Sequence, residues 1–476
     1  LLRYVAAFYR KRPGKTRNRF TLTNALPALK CSMNSWSERG PMFKIAVATL
    51  GCKVNQCESA GIAEALSGRG IAVVPFEEQA DCYIINTCTV TGRTDCQSRQ
   101  LIRRAIRRNP AAAVLVTGCY AQRAPEEIAR IPGVRVVAGN GEKARIPELI
   151  GEMAAGEPRV LVGDIRKEGK ISLPGATVFP GHTRAFLKIQ DGCDSFCSYC
   201  IVPRARGGSR SLPPEEVMER ISALSRTGYR EVVLAGIHLG AYGRDFAPPE
   251  NLTAVVRRIA DERLVERLRL SSIEPREVTD GLIALTGSSG VVCRHLHIPL
   301  QSGDDGILAA MSRDYDAIFF RSLIERIRDA VPGIAVGIDV MAGFPGETEA
   351  AFFNTLRLVE ELPVAYLHIF PYSRRPGTPA AAMPGQVPEG EKKRRAERLR
   401  KVGAEKRRVF AEGFIGTPLT ILVEARKDKS TGFPVGFSDN YIPVAVRGGS
   451  VDANRIVRAL PESFRNGRLI AEVIHE

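Results

Sequence analysis

The stretch AFLKIQDGCDSFCSYC, residues 185–200, decides the fold. Ala185–Gln190 reads as a strand, and Cys193, Cys197 and Cys200 follow it at C-x3-C-x2-C spacing. The carboxyl end of a strand is where parallel α/β barrels carry their chemistry. Further strands are expected at Glu231–Ala235, Leu268–Ile273, His295–Leu300, Ala335–Met341 and Ala365–Phe370, with helices such as Pro214–Ser225 and Phe319–Ala330 between them. Six βα units of this kind predict a TIM-type partial (β/α)6 barrel, open or closed, over 183–410.

Upstream of the barrel the order from Met42 is again β-α-β-α. Strands are expected at Phe43–Leu50, Ile71–Pro75, Asp81–Thr87 and Ala112–Thr117. Helices are expected at Asn55–Gly70, at Ser98–Arg108 before Asn109-Pro110, and from Pro125 to Arg130. This alternation predicts a parallel-sheet α/β domain over 42–150. Residues 151–182 are punctuated by Gly and Pro and read as a linker with one hairpin. Downstream, 391–410 reads as a basic helix, and ILVEA, IPVAV and LIAEVI with glycine-rich turns predict a small all-β module, 411–476. The length of 476 residues fits roughly three domains.

Charge is concentrated. Of the net +16, residues 1–41 carry +8 and residues 391–410 carry +7, which leaves +1 elsewhere. Nucleic-acid binding would therefore rest on local patches. Residues 1–41 read as a disordered basic extension before a start at Met42, or as an Arg-rich transit peptide. No apolar run reaches the ~20 residues that span a bilayer. Eleven cysteines, an odd number, suit a reducing compartment better than a disulfide scaffold, and the expected location is the cytoplasm.

Two sets of three cysteines stand out. Iron–sulfur clusters take Cys thiolates, commonly four, so Cys193, Cys197 and Cys200 would leave one iron open to a ligand. A zinc knot is the competing reading, but it needs a fourth ligand nearby. Cys52, Cys88 and Cys119 end TLGC, INTC and VTGC, 36 and 31 residues apart, each directly after an expected strand. Parallel strands put their carboxyl ends on one edge, so these three converge there; the alternative is three small residues in tight βα turns. Cys31, Cys57, Cys82, Cys96 and Cys293 read as ordinary thiols, since none ends a strand.

TLGCKVNQ, INTCTVTGRTDCQSRQ, VTGCYAQ, KIQDGCDSFCSYCIVPRARG, GIHLGAYG, HLHIPLQSG and GFPGET, in this order, resemble the radical S-adenosylmethionine (SAM) methylthiotransferases across nearly all of 42–476. TLGCKVNQ with NTCTVT is most similar to the branch that modifies N6-threonylcarbamoyladenosine in tRNA. The resemblance implies two [4Fe-4S] clusters and SAM as cofactors. Cys193, Cys197 and Cys200 would hold the catalytic cluster, whose free iron chelates SAM and on reduction cleaves it to a 5′-deoxyadenosyl radical. Cys52, Cys88 and Cys119 would hold the auxiliary cluster that supplies sulfur. Tyr199 matches the aromatic near the SAM adenine. The product would be the 2-methylthio nucleoside at tRNA position 37, next to the anticodon. An unactivated aromatic C–H needs a radical, and such chemistry belongs to the cofactor while the protein positions it.

Gly236, Ser272, Glu274, Gln301 and Gly343, at successive strand ends, are candidate SAM contacts, with His238, Ser302 and Glu347 beside them; ordinary loop capping is the alternative. Arg204 and Arg206 would meet a SAM carboxylate or a phosphate, and His295 and His297 alternate on one strand. Arg99, Arg103 and Arg107 on one helix, with Arg394 and Arg395 in the second basic segment, are candidate contacts for the tRNA anticodon stem-loop; a solvated surface helix is the competing reading. The C-terminal module resembles a TRAM-like RNA-binding β-barrel, best matched by GFSDNYIPVAV, yet 411–476 has no net charge. Its RNA contacts would come from Tyr441 or Phe437. The implied partners are tRNA and an electron donor of the flavodoxin or ferredoxin type, with no membrane and a monomeric enzyme. The alternatives are the same chemistry on isopentenyladenosine or on a ribosomal protein side chain, and a non-enzymatic Fe–S or RNA-binding protein.

Overall fold

The computed structural model describes residues 43–152, 158–173, 175–448 and 451–474. The expected start at Met42, the basic stretch 1–41 and Cys31 lie outside them.

The first sheet has six parallel strands: β1 Lys44–Thr49, β2 Ala72–Val74, β3 Cys82–Thr87, β4 Ala113–Gly118, β5 Val134–Ala138 and β6 Arg159–Leu161. Their order is β2-β1-β3-β4-β5-β6. The chain leaves β1 toward β2 on one side and reaches β3 on the other, so the point where the order reverses lies between β1 and β3. Ligands of doubly wound sheets bind in that crevice, at the carboxyl ends of the strands. The helix Lys53–Ser67 buries Ile62 and Leu66 on one face of the sheet, and the helix Gly92–Arg108 buries Ile102 and Ala105 on the other. The second helix starts six residues before the expected Ser98. Thr91 caps it in a reciprocal box with Thr94, a device that the Gly-Arg-Thr-Asp run conceals. In 151–182 there is no hairpin among the described residues; Arg159–Leu161 instead adds the sixth strand.

The second sheet set is the barrel. It contains β7 Arg184–Lys188, the short antiparallel pair β8 Gln190–Asp191 and β9 Arg210–Ser211, then β10 Glu231–Ala235, β11 Arg267–Leu270, β12 His295–Gln301, β13 Ala335–Ala342 and β14 Tyr366–Pro371. Parallel trios β7-β10-β11 and β12-β13-β14 are joined by parallel bridges Leu268–Val292 and Ser272–His297. Among the described residues β7 and β14 do not pair, so the (β/α)6 barrel is open.

The N-terminal domain contacts both edges of that opening. Val54 and Cys57 share a core with Phe186 and Leu187 of β7. Beyond β14, Arg375 donates to Thr89 (2.8 Å) and Asp95 (2.6 Å), and the Gly92 amide donates to Ser373 (3.0 Å).

The helix Glu389–Glu412 packs along β13 and β14 and leads into a closed barrel of five strands, in the order β15-β16-β17-β19-β18. These are β15 Leu419–Lys427, β16 Pro434–Ser438, β17 Pro443–Arg447, β18 Ile456–Arg465 and β19 Arg468–Val473. Among the described residues no helix is long and apolar enough to cross a membrane.

Candidate iron–sulfur and substrate site

Cys193, Cys197 and Cys200 lie on the loop after β8, and each thiol has an N–H or ring-nitrogen neighbour. Ser195 N–H points at Cys193 Sγ (3.4 Å), and His238 Nδ1 lies 3.5 Å from the same sulfur. Arg313 Nη1 donates to Cys197 Sγ (3.2 Å), and Val202 N–H to Cys200 Sγ (3.4 Å). Burial would push His238 down, but Cys193 and the Glu277 carboxylate (2.8 Å) raise it to about 10. Burial presses the Cys193 thiol upward, yet hydrogen bonds from His238 and Ser195 win and hold it below the ordinary thiol value. Burial pushes Cys200 up to about 12 and raises Cys197 against the pull of Arg313.

Cys52, Cys88 and Cys119 follow β1, β3 and β4, three adjacent strands, on both sides of the β1/β3 crevice. Two glycines make this approach possible. Gly51 has φ +110°, and a Cβ there would lie 2.8 Å from Cys88 Cβ; Gly118 has φ +97°, and a Cβ would lie 2.4 Å from the Thr87 carbonyl. Only glycine fits such positions without strain. Burial and the neighbouring thiols push Cys88 up to about 12.

Six free thiols in two triads, several of them raised by burial and by each other, and met by N–H donors, match the donor set of iron–sulfur ligation. A bound metal relieves such crowding, because it binds the deprotonated form.

A buried charge network runs from Cys119 across the junction between the two domains. Arg206, 1% exposed, donates from Nε to Cys119 Sγ (3.3 Å) and from its other nitrogens to Asn55, Glu58 (2.5 Å) and Asp191 (3.2 Å). Lys143 and Lys188 pair with Glu58, and Lys188 also with Asp191 (3.2 Å). Burial alone would discharge Arg206, but Cys119, Glu58 and Asp191 keep its guanidinium protonated. Arg206 is therefore consumed inside the protein, which corrects the expectation that it meets SAM or phosphate. Glu58, Lys143, Lys188, Asp191 and Arg313 were not anticipated. The visible signal was Lys188 inside an apolar strand.

The other candidates divide. Ser272 is exposed, and Gly236, Glu274 and Gln301 are half-buried at the strand ends; Gln301 takes φ +65° at a break in the β12–β13 register. Glu274 pairs with Arg313 and so joins the Cys197 environment. Tyr199 packs edge-on against Phe344. Gly343 is buried beneath Lys392, and its amide donates to Glu347 (2.7 Å), so packing explains this glycine without a cofactor. Ser302 is buried against Thr355. His295 and His297 face the same side: both meet Tyr366 Oη (2.8 and 3.1 Å), and His297 Nε2 meets Asp339 (2.9 Å), which also meets His368 (3.5 Å). Cys57, Cys82 and Cys293 are buried and Cys96 is exposed.

The basic patches also divide. Arg103 and Arg107 are exposed, one turn apart. Arg99 donates to Tyr120 Oη (2.6 Å) and Glu127 (3.0 Å), so an acid from another helix does face this surface. Arg394 is exposed and pairs with Glu391. Arg395 is buried between Glu347 (2.6 Å), Glu349 (3.2 Å) and Glu391 (2.9 Å), which removes it from any RNA-facing surface. Tyr441 and Phe437, expected to face RNA, stack on each other at the floor of the large barrel, where Arg269 and Arg184 lie over their rings.

Two family models match in tandem: Uncharacterized protein family UPF0004 over residues 44–139, and the Radical SAM superfamily over 187–359. The chain is 41% identical over 422 residues to a threonylcarbamoyladenosine tRNA methylthiotransferase of Bacillus subtilis, covering 88% of this chain and 93% of that protein. It is 37% identical to a protein of the same name from Aquifex aeolicus, covering 88% and 100%. It is 36% identical to a tRNA-2-methylthio-N(6)-dimethylallyladenosine synthase of Jannaschia sp., covering 93% and 98%. In fold it is similar to the radical S-adenosylmethionine methyltransferase TsrM from Kitasatospora setae, with TM-score 0.53 and 16% identity over 72% of this chain and 77% of that one. With cysteine triads at the strand ends of both matched domains and relatives aligned over nearly the whole described chain, the protein belongs to the radical SAM methylthiotransferase family.

Proposed function

We propose that this protein adds a methylthio group to C2 of N6-threonylcarbamoyladenosine at position 37 of tRNA, with two [4Fe-4S] clusters and SAM as cofactors. The observation that carries the reading is the pair of three-thiol sets, one per domain, on the two sides of a junction that Arg206 bridges. Cys193, Cys197 and Cys200 hold the catalytic cluster, and Cys52, Cys88 and Cys119 hold the auxiliary one. When bound, the first with SAM supplies one-electron chemistry at an unactivated C–H bond and the second supplies sulfur. With three protein ligands per set, a bound cluster would keep one position for a non-protein ligand.

The chain's own groups do the positioning. His238 and Arg313 place positive charge and N–H donors on Cys193 and Cys197, which stabilises thiolates in a half-buried site. The Arg206 network fixes the two domains against each other, so that the substrate base lies between fixed elements. Ser272, Glu274, Gln301 and Gly236 line the route to the strand ends. Arg103 and Arg107 contact phosphates of the anticodon stem-loop. The enzyme acts as a cytoplasmic monomer and takes electrons from a flavodoxin- or ferredoxin-type donor.

Nucleoside mass spectrometry of tRNA from cells with and without the gene tests this. Loss of 2-methylthio-N6-threonylcarbamoyladenosine, restored by wild type and not by Cys193→Ala, is the expected result. Loss of the methylthio mark on isopentenyladenosine instead would move the substrate to that of the second group of relatives.

A further inference from the structure

Lys53 follows Cys52 directly and opens the helix Lys53–Ser67. It differs from its buried counterparts. Lys143 and Lys188 are nearly inaccessible and paired with Glu58, whereas Lys53 is half-buried, and among the described residues it forms no ion pair with a carboxylate. Its electrostatic neighbours are Tyr441, Arg184 and Arg269, at the floor of the large barrel.

That floor carries more positive than negative charge. Glu231 is shared by Arg269 (2.7 Å) and Arg267 (3.8 Å), and Arg184 meets Glu424 (3.2 Å). Four cations, Lys53 included, thus stand against two carboxylates. The arginines are further engaged: Arg267 and Arg269 donate to carbonyls of Thr420, Phe437, Ser438 and Asp439. Of these four cations, Lys53 is the one with no ion pair among the described residues. Burial, and then Arg269 and the other cations here, keep the neighbouring His295 neutral, as expected where positive charge is in excess.

The chemistry of the base supplies the link. In adenine, C2 and C6, the carbon that bears N6, flank N1 on one edge of the ring. A base that presents C2 toward Cys52 carries its N6 substituent on the same edge, within reach of the side chain of the next residue, Lys53. A threonylcarbamoyl group ends in a carboxylate, and a dimethylallyl group is wholly apolar. Resting on the substrate reading above, we infer that Lys53 is the specificity-determining cation of this site and that its ammonium takes the carboxylate of the threonylcarbamoyl group. A site built to satisfy a charge rejects an analogue that lacks it, because its own charge is then left desolvated and unpaired.

The test is binding and turnover of anticodon stem-loops by the full-length, cluster-loaded protein. Wild type should bind the stem-loop with the threonylcarbamoyl group more tightly than the same RNA with unmodified adenosine. Lys53→Gln should weaken the modified RNA by about 10- to 100-fold, the range of one charge-assisted hydrogen bond. It should raise KM more than it lowers kcat and leave binding of the unmodified RNA within about 2-fold. Lys53→Arg should restore most of the preference. A stem-loop whose threonyl carboxylate is replaced by the neutral amide should show the same loss on wild type, and this arm is independent of whether a variant folds or loads iron. A preserved preference in Lys53→Gln, an unchanged affinity for the amide, or an equal loss on both RNAs, which would mark a phosphate contact, overturns the inference. If wild type does not act on the threonylcarbamoyl RNA at all, the substrate reading itself has failed; if it does act and Lys53→Gln is unaffected, only the role of Lys53 has.

Discussion

The two cysteine triads are assembled by opposite means. Cys193, Cys197 and Cys200 share one loop, so chain connectivity alone keeps them together. Cys52, Cys88 and Cys119 come from three strands, and only the order β1-β3-β4 makes them neighbours. Their environments differ accordingly. The loop triad draws its donors from its own backbone, at Ser195 and Val202, and from barrel side chains, His238 and Arg313. The dispersed triad depends on a buried guanidinium sent from the other domain, Arg206, and on glycines that let backbone pass within contact of the next thiol. A local motif can survive damage to the sheet. A dispersed one is lost together with the domain junction.

That contrast can be broken most directly at the ligands. Cys193→Ala and Cys88→Ala should each abolish methylthiolation and each reduce iron from about 8 to about 4 per chain. Cys193→Ala should leave the thermal midpoint of the metal-free protein near wild type, since its loop is half-exposed. Paired iron analysis and thermal denaturation check both. An iron content that falls to zero in either variant would mean the triads do not load independently.

Arg206→Met is the next largest. It removes the one cation that bonds Cys119, Asn55, Glu58 and Asp191 together. Breaking a buried charge network from one side costs about 3–5 kcal/mol. Denaturant unfolding should show that loss, and iron should fall preferentially at the dispersed triad. Equal loss at both triads would contradict the asymmetry between them.

The two basic regions offer a smaller, parallel test. Exposed Arg103 and Arg107 should contribute phosphate contacts, so their double replacement by Ala should lower the salt dependence of RNA binding by a slope of about 2. Arg395→Ala should instead lower stability, because it strips Glu347 of its partner, with little change in that slope. Salt titrations of stem-loop binding alongside thermal melts separate the two.

The smallest effect concerns His295. Burial, with Arg269 second, holds it neutral and well below its ordinary value of 6.5. A group with a depressed folded pKa is protonated first in the unfolded chain, so this contribution to stability is present above about pH 6.5 and is lost as pH falls below it. Denaturant midpoints at pH 7 and pH 5.5 should show a shallower decline in His295→Phe than in wild type.

Much of this architecture was readable because it is periodic and local. Glu231–Ala235 was placed to the residue. The periodicity predicts a helix over Ser98–Arg108 and the structure extends it back to Gly92, since a Thr91–Thr94 capping box carries no apolar signal. The residues whose place the sequence does not reveal are long and charged. Arg206 reads as a contact for SAM or a phosphate and Arg395 as a contact for RNA, yet each is buried among carboxylates. Tyr441 and Phe437 read as an RNA-facing pair, yet they seal the floor of the large barrel.

The sequence by itself determined the two βα series, the three-cysteine loop and the three cysteines that end strands, because strand periodicity and spacing are properties of neighbouring residues. The assembled fold settles that the first domain spans the open edge of the barrel, that Arg206 bonds Cys119 and the carboxylates of both domains, and that Lys53 has no acidic partner among the described residues. These are facts about which charges meet across long sequence separations. Burial makes an unpaired charge costly, so the partner of a charged side chain is set by the assembled fold and leaves no periodic trace in the chain.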